Sequence, residues 1–285
     1  MKAQRLPGNP IIRPNMRART GSNINGPSLV RAPDWLPDRL GRYYLYFAHH
    51  KGRFIRLAFA DRPEGPWQLY EPGTLHLAEA ACQDHVASPD VHVDDERRQL
   101  RMYYHGVGED GRQMSFVALS QDGIHFRSRP GPVGHPYFRV FRWGGWYYAL
   151  GMPGWSYRSR DGLTGFERGP RLFTPNMRHS ALLARGNTLY VFFSNVGDVP
   201  ERILLSTIDL TPDWTEWHES EPVTVLEPET DYEGAGLPLE PSVRDWAPLP
   251  VRQLRDPAIF EEDGRTYLVY SVAGEHGLAI ARLLE

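Results

Sequence analysis

Residues 255–285 read RDPAIFEEDGRTYLVYSVAGEHGLAIARLLE, and they decide the fold because the same plan recurs four times upstream. A polar residue before a Pro-type step opens an apolar strand, a Gly/Asp turn leads to an aromatic strand, and a third strand of small apolar residues follows. The earlier copies begin NGPSLVRAPDW (25–35), ASPDVHVDDERRQLRMYYHG (87–106), HPYFRVFRWGGWYYALGM (135–152) and RHSALLARGNTLYVFFSNV (178–196), and each continues into an Asp-containing turn and an aromatic residue. With Pro27, Pro89, Pro136, Ser180 and Pro257 as equivalent points, the separations are 62, 47, 44 and 77 residues. Periods near forty to fifty with three or four strands per unit are those of β-propeller blades.

The predicted fold is therefore all-β: one domain over 1–285, a five-bladed β-propeller. Its blades are expected at about 26–75, 86–132, 134–174, 177–227 and 254–285, with an insertion at about 212–250. The fifth copy stops after three strands. The extended NPIIRP segment near the N-terminus, whose prolines favour β or polyproline geometry, is expected to close the ring by adding a strand from about 8–14 to the last blade, so protecting an open edge.

Composition bounds the function. The 285 residues carry a formal charge of −3, with 41% hydrophobic and 12% aromatic side chains, which supports a large core and shows no disorder signature. Without a basic excess, nucleic acid is not an expected partner, and no apolar run reaches a membrane span. Cys82 is the single cysteine, so no intrachain disulfide forms. MKAQRLPGNP lacks the apolar stretch of a signal peptide, and a cytoplasmic protein is the expectation; oligomeric state is not legible.

In a propeller the inner strands line a central channel, so the five strand starts converge. They carry Asn25 with Gly26, Ser88 with Asp90, His135, His179 and Asp256. A convergent polar funnel is the default site. The chain resembles, over nearly its whole length, the five-bladed propeller glycoside hydrolases of families 43, 62, 32, 117 and 130, through GPSLVRAPDW, GRYYLYFAHHKGRFIRLAFADRPEGPW and RDPAIFEEDGRTYLVYS. The resemblance to family 43 implies a general base at a first-blade Asp-Pro, a pKa-tuning Asp-Pro in the second blade, a general-acid Glu in the third and a later His that helps bind a central ion or water cluster.

This chain departs from that pattern. Gly26-Pro27 and Ser88-Pro89 stand at the first two steps, His135-Pro136 at the third, and Asp256-Pro257 is the one intact Asp-Pro. His179 matches the family's His best. Glycoside hydrolysis needs two carboxyl groups flanking the bond, so Asp90, Asp256 and Glu233 are the catalytic candidates. Glu233, between Tyr232 and Gly234, is expected to be the acid with a raised pKa, and Asp90 or Asp256 the base. Asn25, His50, His85, His135, His179 and Arg255 are expected to bind substrate; Arg255 could clamp an acidic or sulfated sugar. No cofactor is required, although His with Asp could bind a divalent ion in the central channel. Trp35, Trp155 and Trp246 are candidate stacking platforms, whereas Trp67 and Trp217 read as core. The expected function is a glycoside hydrolase acting on a terminal or short glycan; the alternatives are a silent sugar-binding propeller and a sugar phosphorylase or lyase.

Overall fold

The computed structural model describes residues 1–284. Five four-stranded antiparallel sheets follow one another around an axis, each a meander from inside to outside. The inner strands are Asn25–Arg31, Gln83–Asp94, Arg139–Trp143, Met177–Arg185 and Arg255–Glu262, in blades one to five. The outermost strand of blade five is Lys2–Arg5, which pairs antiparallel with the C-terminal strand, Lys2 opposite Leu284 and Arg5 opposite Ala281. Ring closure by the N-terminus thus holds, but the strand is Lys2–Arg5 and not 8–14. Asn9-Pro10 is cis, and the following residues add only a bridge from Ile12 to Leu278. In blade four, Val223–Leu226 supplies the outer strand, so the long excursion runs from 227 to 254 instead of from 212.

Alternation explains the packing. Blade one's second strand, YYLYFA at Tyr43–Ala48, is buried throughout, as expected for a strand covered on both faces. Tyr44 and Tyr46 pack toward Val86, Met102 and Phe116 of blade two. Tyr43, Leu45 and Phe47 pack toward Tyr267, Val269 and Ile280 of blade five. Equivalent clusters fill the remaining three blade interfaces; Trp67 and Trp217 belong to this core.

Turn chemistry agrees with the topology. Gly144-Gly145 and Asp263-Gly264 form two-residue hairpins with both residues left-handed, as type I′ turns require. In the repeated turns after the third strands, Asp122 accepts from the amides of Ile124 and His125, and Asp161 from those of Leu163 and Thr164. Although burial opposes it, these bonds hold both carboxyls down to about 2.

Candidate active site at the channel mouth

At the mouth, the inner segment of each blade carries a residue in left-handed backbone: Gly26 (φ 56°), Ser88 (47°), Tyr137 (55°), His179 (36°) and Asp256 (49°). Non-glycine residues rarely adopt such angles. In blades one, two, four and five, the register slips beside this residue, so a bulge re-aims it. Backbone strain of this kind, of order 1–3 kcal/mol per residue, clusters at functional sites.

This ring corrects the third-blade alignment. Tyr137, not His135, occupies the mouth position, because Phe138 stands where Pro27, Pro89, Ser180 and Pro257 stand in the other blades. The Tyr137 ring lies between His105 and His179, 4.3 Å from each by centroids. His105 in turn meets His85 edge-on at 5.5 Å. The centre of the mouth is therefore an aromatic and imidazole stack.

His179 and Asp256 form the strongest polar contact there: Nδ1 lies 2.7 Å from Oδ1, and the side chains are each 3% exposed. The other Asp256 oxygen accepts from Ser271 Oγ at 3.0 Å. Burial alone would raise the Asp256 carboxyl, but His179, Arg178 and Ser271 overcome it and hold the group well below the carboxylate range. Burial pushes the His179 imidazole below its ordinary value, against the pull of Asp256. An ionised Asp256 beside a neutral His179 satisfies both directions. Burial also drives His105 well down, and the neighbouring His85, His50, His179 and Arg139 would each repel a charge placed on it.

A second polar cluster forms the blade-one and blade-five wall. Glu275, buried in the turn between the last two strands, accepts from Asn23 and Asn25 at 2.7 and 2.9 Å, and from Arg255 at 3.0 Å. Arg255 also reaches Glu201 at 3.1 Å, Gln253 at 2.5 Å and the Asp245 carbonyl at 3.2 Å, and is 1% exposed. Its cation is thus committed inside the protein, and the expected clamp on a sugar acid is corrected. Arg178 lies 3.7 Å from the other side of Glu201 and binds the Val243 carbonyl at 2.9 Å. Through these carbonyls the two arginines tie the 227–254 excursion to the mouth. His50 Nδ1 lies 3.7 Å from Glu275 and Nε2 3.8 Å from Asp245, with its ring stacked on Trp246 at 6.3 Å. Burial lowers the His50 pKa, and the carboxylates of Glu275, Asp245 and Asp256 act against that.

Three expected residues are elsewhere or otherwise engaged. Glu233 is fully buried and far from a flexible acid: Arg5 grips it through two nitrogens at 2.8 and 2.9 Å, Tyr270 donates at 2.8 Å, and the amides of Glu229 and Thr230 donate at 2.9 and 3.1 Å. Burial would raise its carboxyl, yet Arg5 and these donors lower it, the reverse of what an acid needs. Asp90 lies one step further along the channel, where it accepts from Val140 N at 2.9 Å and from His92 Nε2 at 2.8 Å. It lines an axial cavity of about 340 Å³ that all five blades enclose. Arg139 lines that cavity too, its guanidinium bound to the carbonyls of Ser88, Pro89 and Ser180. His135 turns away toward Tyr157 and Trp155. Asn25, His50, His85, His179 and Asp256 do converge at the mouth. His85 is committed to Asp84 at 3.0 Å.

Among the described residues no group of three or more His, Cys, Asp or Glu side chains is arranged to hold a metal. Tyr137 separates His105 from His179, and His85 Nδ1 faces Asp84. Sequence reasoning missed Tyr137, Glu201 and Glu275 as parts of the site. A carboxylate set in the Gly-flanked AGEHG turn was the available signal for Glu275.

No family model matches the chain. It is 38% identical to the uncharacterized protein R118 of Acanthamoeba polyphaga mimivirus, over 98% of this chain and 89% of that protein. Among solved structures, a putative glycoside hydrolase from Parabacteroides distasonis superposes with a TM-score of 0.69 at 14% identity, covering 98% and 95% of the two chains. A family GH43_1 enzyme from Xanthomonas citri, crystallised with xylose, superposes with a TM-score of 0.62 at 14% identity, covering 96% and 89%. The resemblance to the propeller glycoside hydrolases therefore holds at the level of the fold.

Proposed function

The chain belongs to the family of the mimivirus protein R118, and from that premise and its propeller fold we propose that it is a glycoside hydrolase acting on a terminal or short glycan at the channel mouth. The observation that carries this reading is the buried His179–Asp256 contact at two adjoining mouth positions. With the Nδ1 proton on the side that faces Asp256 at 2.7 Å, the His179 Nε2 lone pair is available to the funnel. It takes a proton from water as the water oxygen attacks the anomeric carbon; the glycosidic C–O bond breaks, and the departing oxygen takes a proton from His50 in its imidazolium form, which is left neutral. Both oxygens of Asp256 are already engaged, so its part is to fix the His179 tautomer and stabilise the imidazolium that forms. It is a positioning residue, whereas Glu275 and Asp245, 3.7 and 3.8 Å from His50, act on that imidazole through their charge. The xylose complex of a protein with this fold favours a sugar as the ligand.

A non-catalytic sugar-binding propeller is the competing reading, favoured by Gly26. A Cβ there would sit 2.9 Å from the Ser88 Cα, so the first blade has no room for a carboxylate at its mouth position. Incubation with aryl glycosides and oligosaccharides, with and without phosphate, separates these readings by chromatography of the products. Phosphate-independent hydrolysis lost in His179→Ala is the expected result. Saturable binding without turnover of any member favours the binding module, and turnover that requires phosphate replaces hydrolysis by phosphorolysis.

A further inference from the structure

Beside the mouth, blade three carries arginines that the rest of the structure leaves without acceptors. Trp155 opens the third strand of the blade, directly opposite Arg171, and the guanidiniums of Arg168 and Arg171 lie over its ring at 4.8 and 5.9 Å. The His135 imidazole stacks on the same indole at 5.6 Å with the planes 26° apart. His135 is two residues before Tyr137, so about 7 Å of chain at most separates this group from the mouth.

Each guanidinium offers five N–H donors in a planar fork. Stacking on an indole uses its face and leaves the edge free. Neither Arg168 nor Arg171 donates a hydrogen bond or meets a carboxylate among the described residues, although both are exposed. Other arginines near this face differ: Arg158 is paired with Glu167 at 2.9 Å and Arg112 with Asp110 at 2.6 Å. Two unneutralised forks held side by side over one indole are the combination that recognises an oxyanion by paired N–H donors. The chain as a whole is acidic, at −3, so this is a local arrangement and not a generally basic surface suited to nucleic acid.

We propose that His135, Trp155, Arg168 and Arg171 form a subsite beside the mouth that binds the carboxylate or sulfate of an acidic sugar unit. This rests on the reading of the mouth as a glycan site, and it restores the acidic-sugar expectation on residues other than Arg255.

Calorimetric titration of the full chain at low salt, with trigalacturonate and its methyl ester, and with a sulfated disaccharide and its desulfated form, tests it. At least one anion is expected to bind about tenfold more tightly than its neutral counterpart, equivalent to ~1.4 kcal/mol, and which pair shows this distinguishes carboxylate from sulfate. The ratio is expected to shrink with added salt and to approach one in the Arg168→Gln/Arg171→Gln variant, while Arg158→Gln retains it. Equal affinity within both pairs, no saturable binding of either anion, or an undiminished ratio in the double variant overturns the subsite. The readout is binding, so a protein that turns over nothing can still show the preference. A hydrolase of neutral glycans that lacks the preference overturns this inference alone.

Discussion

His179 Nδ1 sits 2.7 Å from Asp256 Oδ1, and the two residues come from corresponding left-handed positions of neighbouring blades. The contact therefore depends on the ring having closed with its blades in register. If His179 is the base, His179→Ala is expected to lower kcat by about 10²–10⁴-fold, the usual range for a general base. Asp256→Asn should lower kcat without raising KM in proportion, because both Asp256 carboxylate oxygens already face partners in the protein. Steady-state kinetics of the two variants on any substrate that turns over makes the comparison. Near-normal kcat in His179→Ala removes the dyad from catalysis.

Glu233 is expected to behave as a structural latch. It joins the 227–254 excursion to Arg5 of the closing strand and to Tyr270. Removing one partner of a buried ion pair costs about 3–5 kcal/mol, so Glu233→Gln should lower unfolding stability by about that amount. Arg5→Met should do the same, and the double variant should lose much less than the two combined. Denaturant unfolding supplies the free energies. A large fall in kcat at unchanged stability would instead return Glu233 to the chemistry.

The ring architecture was legible because each blade repeats a short program of alternating strands and Gly or Asp turns, and that program is local. Ring closure was legible in outline, since three strands in the last copy demand a fourth, but its register was not. The cis Asn9-Pro10 region looks extended, yet Lys2–Arg5 makes the ladder. The site was partly legible. Asp256 and His179 stand out beside their Pro-type steps, whereas Tyr137 was hidden because Pro136 lies one residue before the left-handed position instead of one after it. Glu233 misled because a Tyr-Glu-Gly segment looks mobile in sequence; its partner Arg5 is 228 residues away, beyond any local pattern.

Gly26 gives a third prediction. Its left-handed backbone and the 2.9 Å approach of a built Cβ to Ser88 Cα both oppose a side chain. Left-handed geometry alone costs a non-glycine residue roughly 1–2 kcal/mol, and here the neighbour is backbone that cannot rotate away. Gly26→Asp, which would recreate the family-43 carboxylate position, should therefore lower the melting temperature and give no gain in hydrolysis. Retained stability together with raised turnover would show that blades one and two can part at the mouth.

Acid sensitivity follows from the buried imidazoles. His105 and His179 are both held below the ordinary value of 6.5, so in the folded chain they stay neutral where the unfolded chain has taken up protons. Stability is then fully present above about pH 6.5 and is lost as pH falls toward the folded values. Each such group contributes a slope of up to about 1.4 kcal/mol per pH unit. The depressed carboxyls act at lower pH: Asp256 and Glu233 give stability that is present above about 4 and is lost below it. Denaturant unfolding should be nearly level from pH 8 to 7 and fall steadily from 6.5 to 4.5. Replacing His105 with Gln should reduce that slope by up to one proton's worth, whatever it does to stability at pH 8. A flat profile between pH 7 and 5, or an unchanged slope in the variant, would show that the imidazole stack takes up protons without unfolding and that the mouth can hold positive charge.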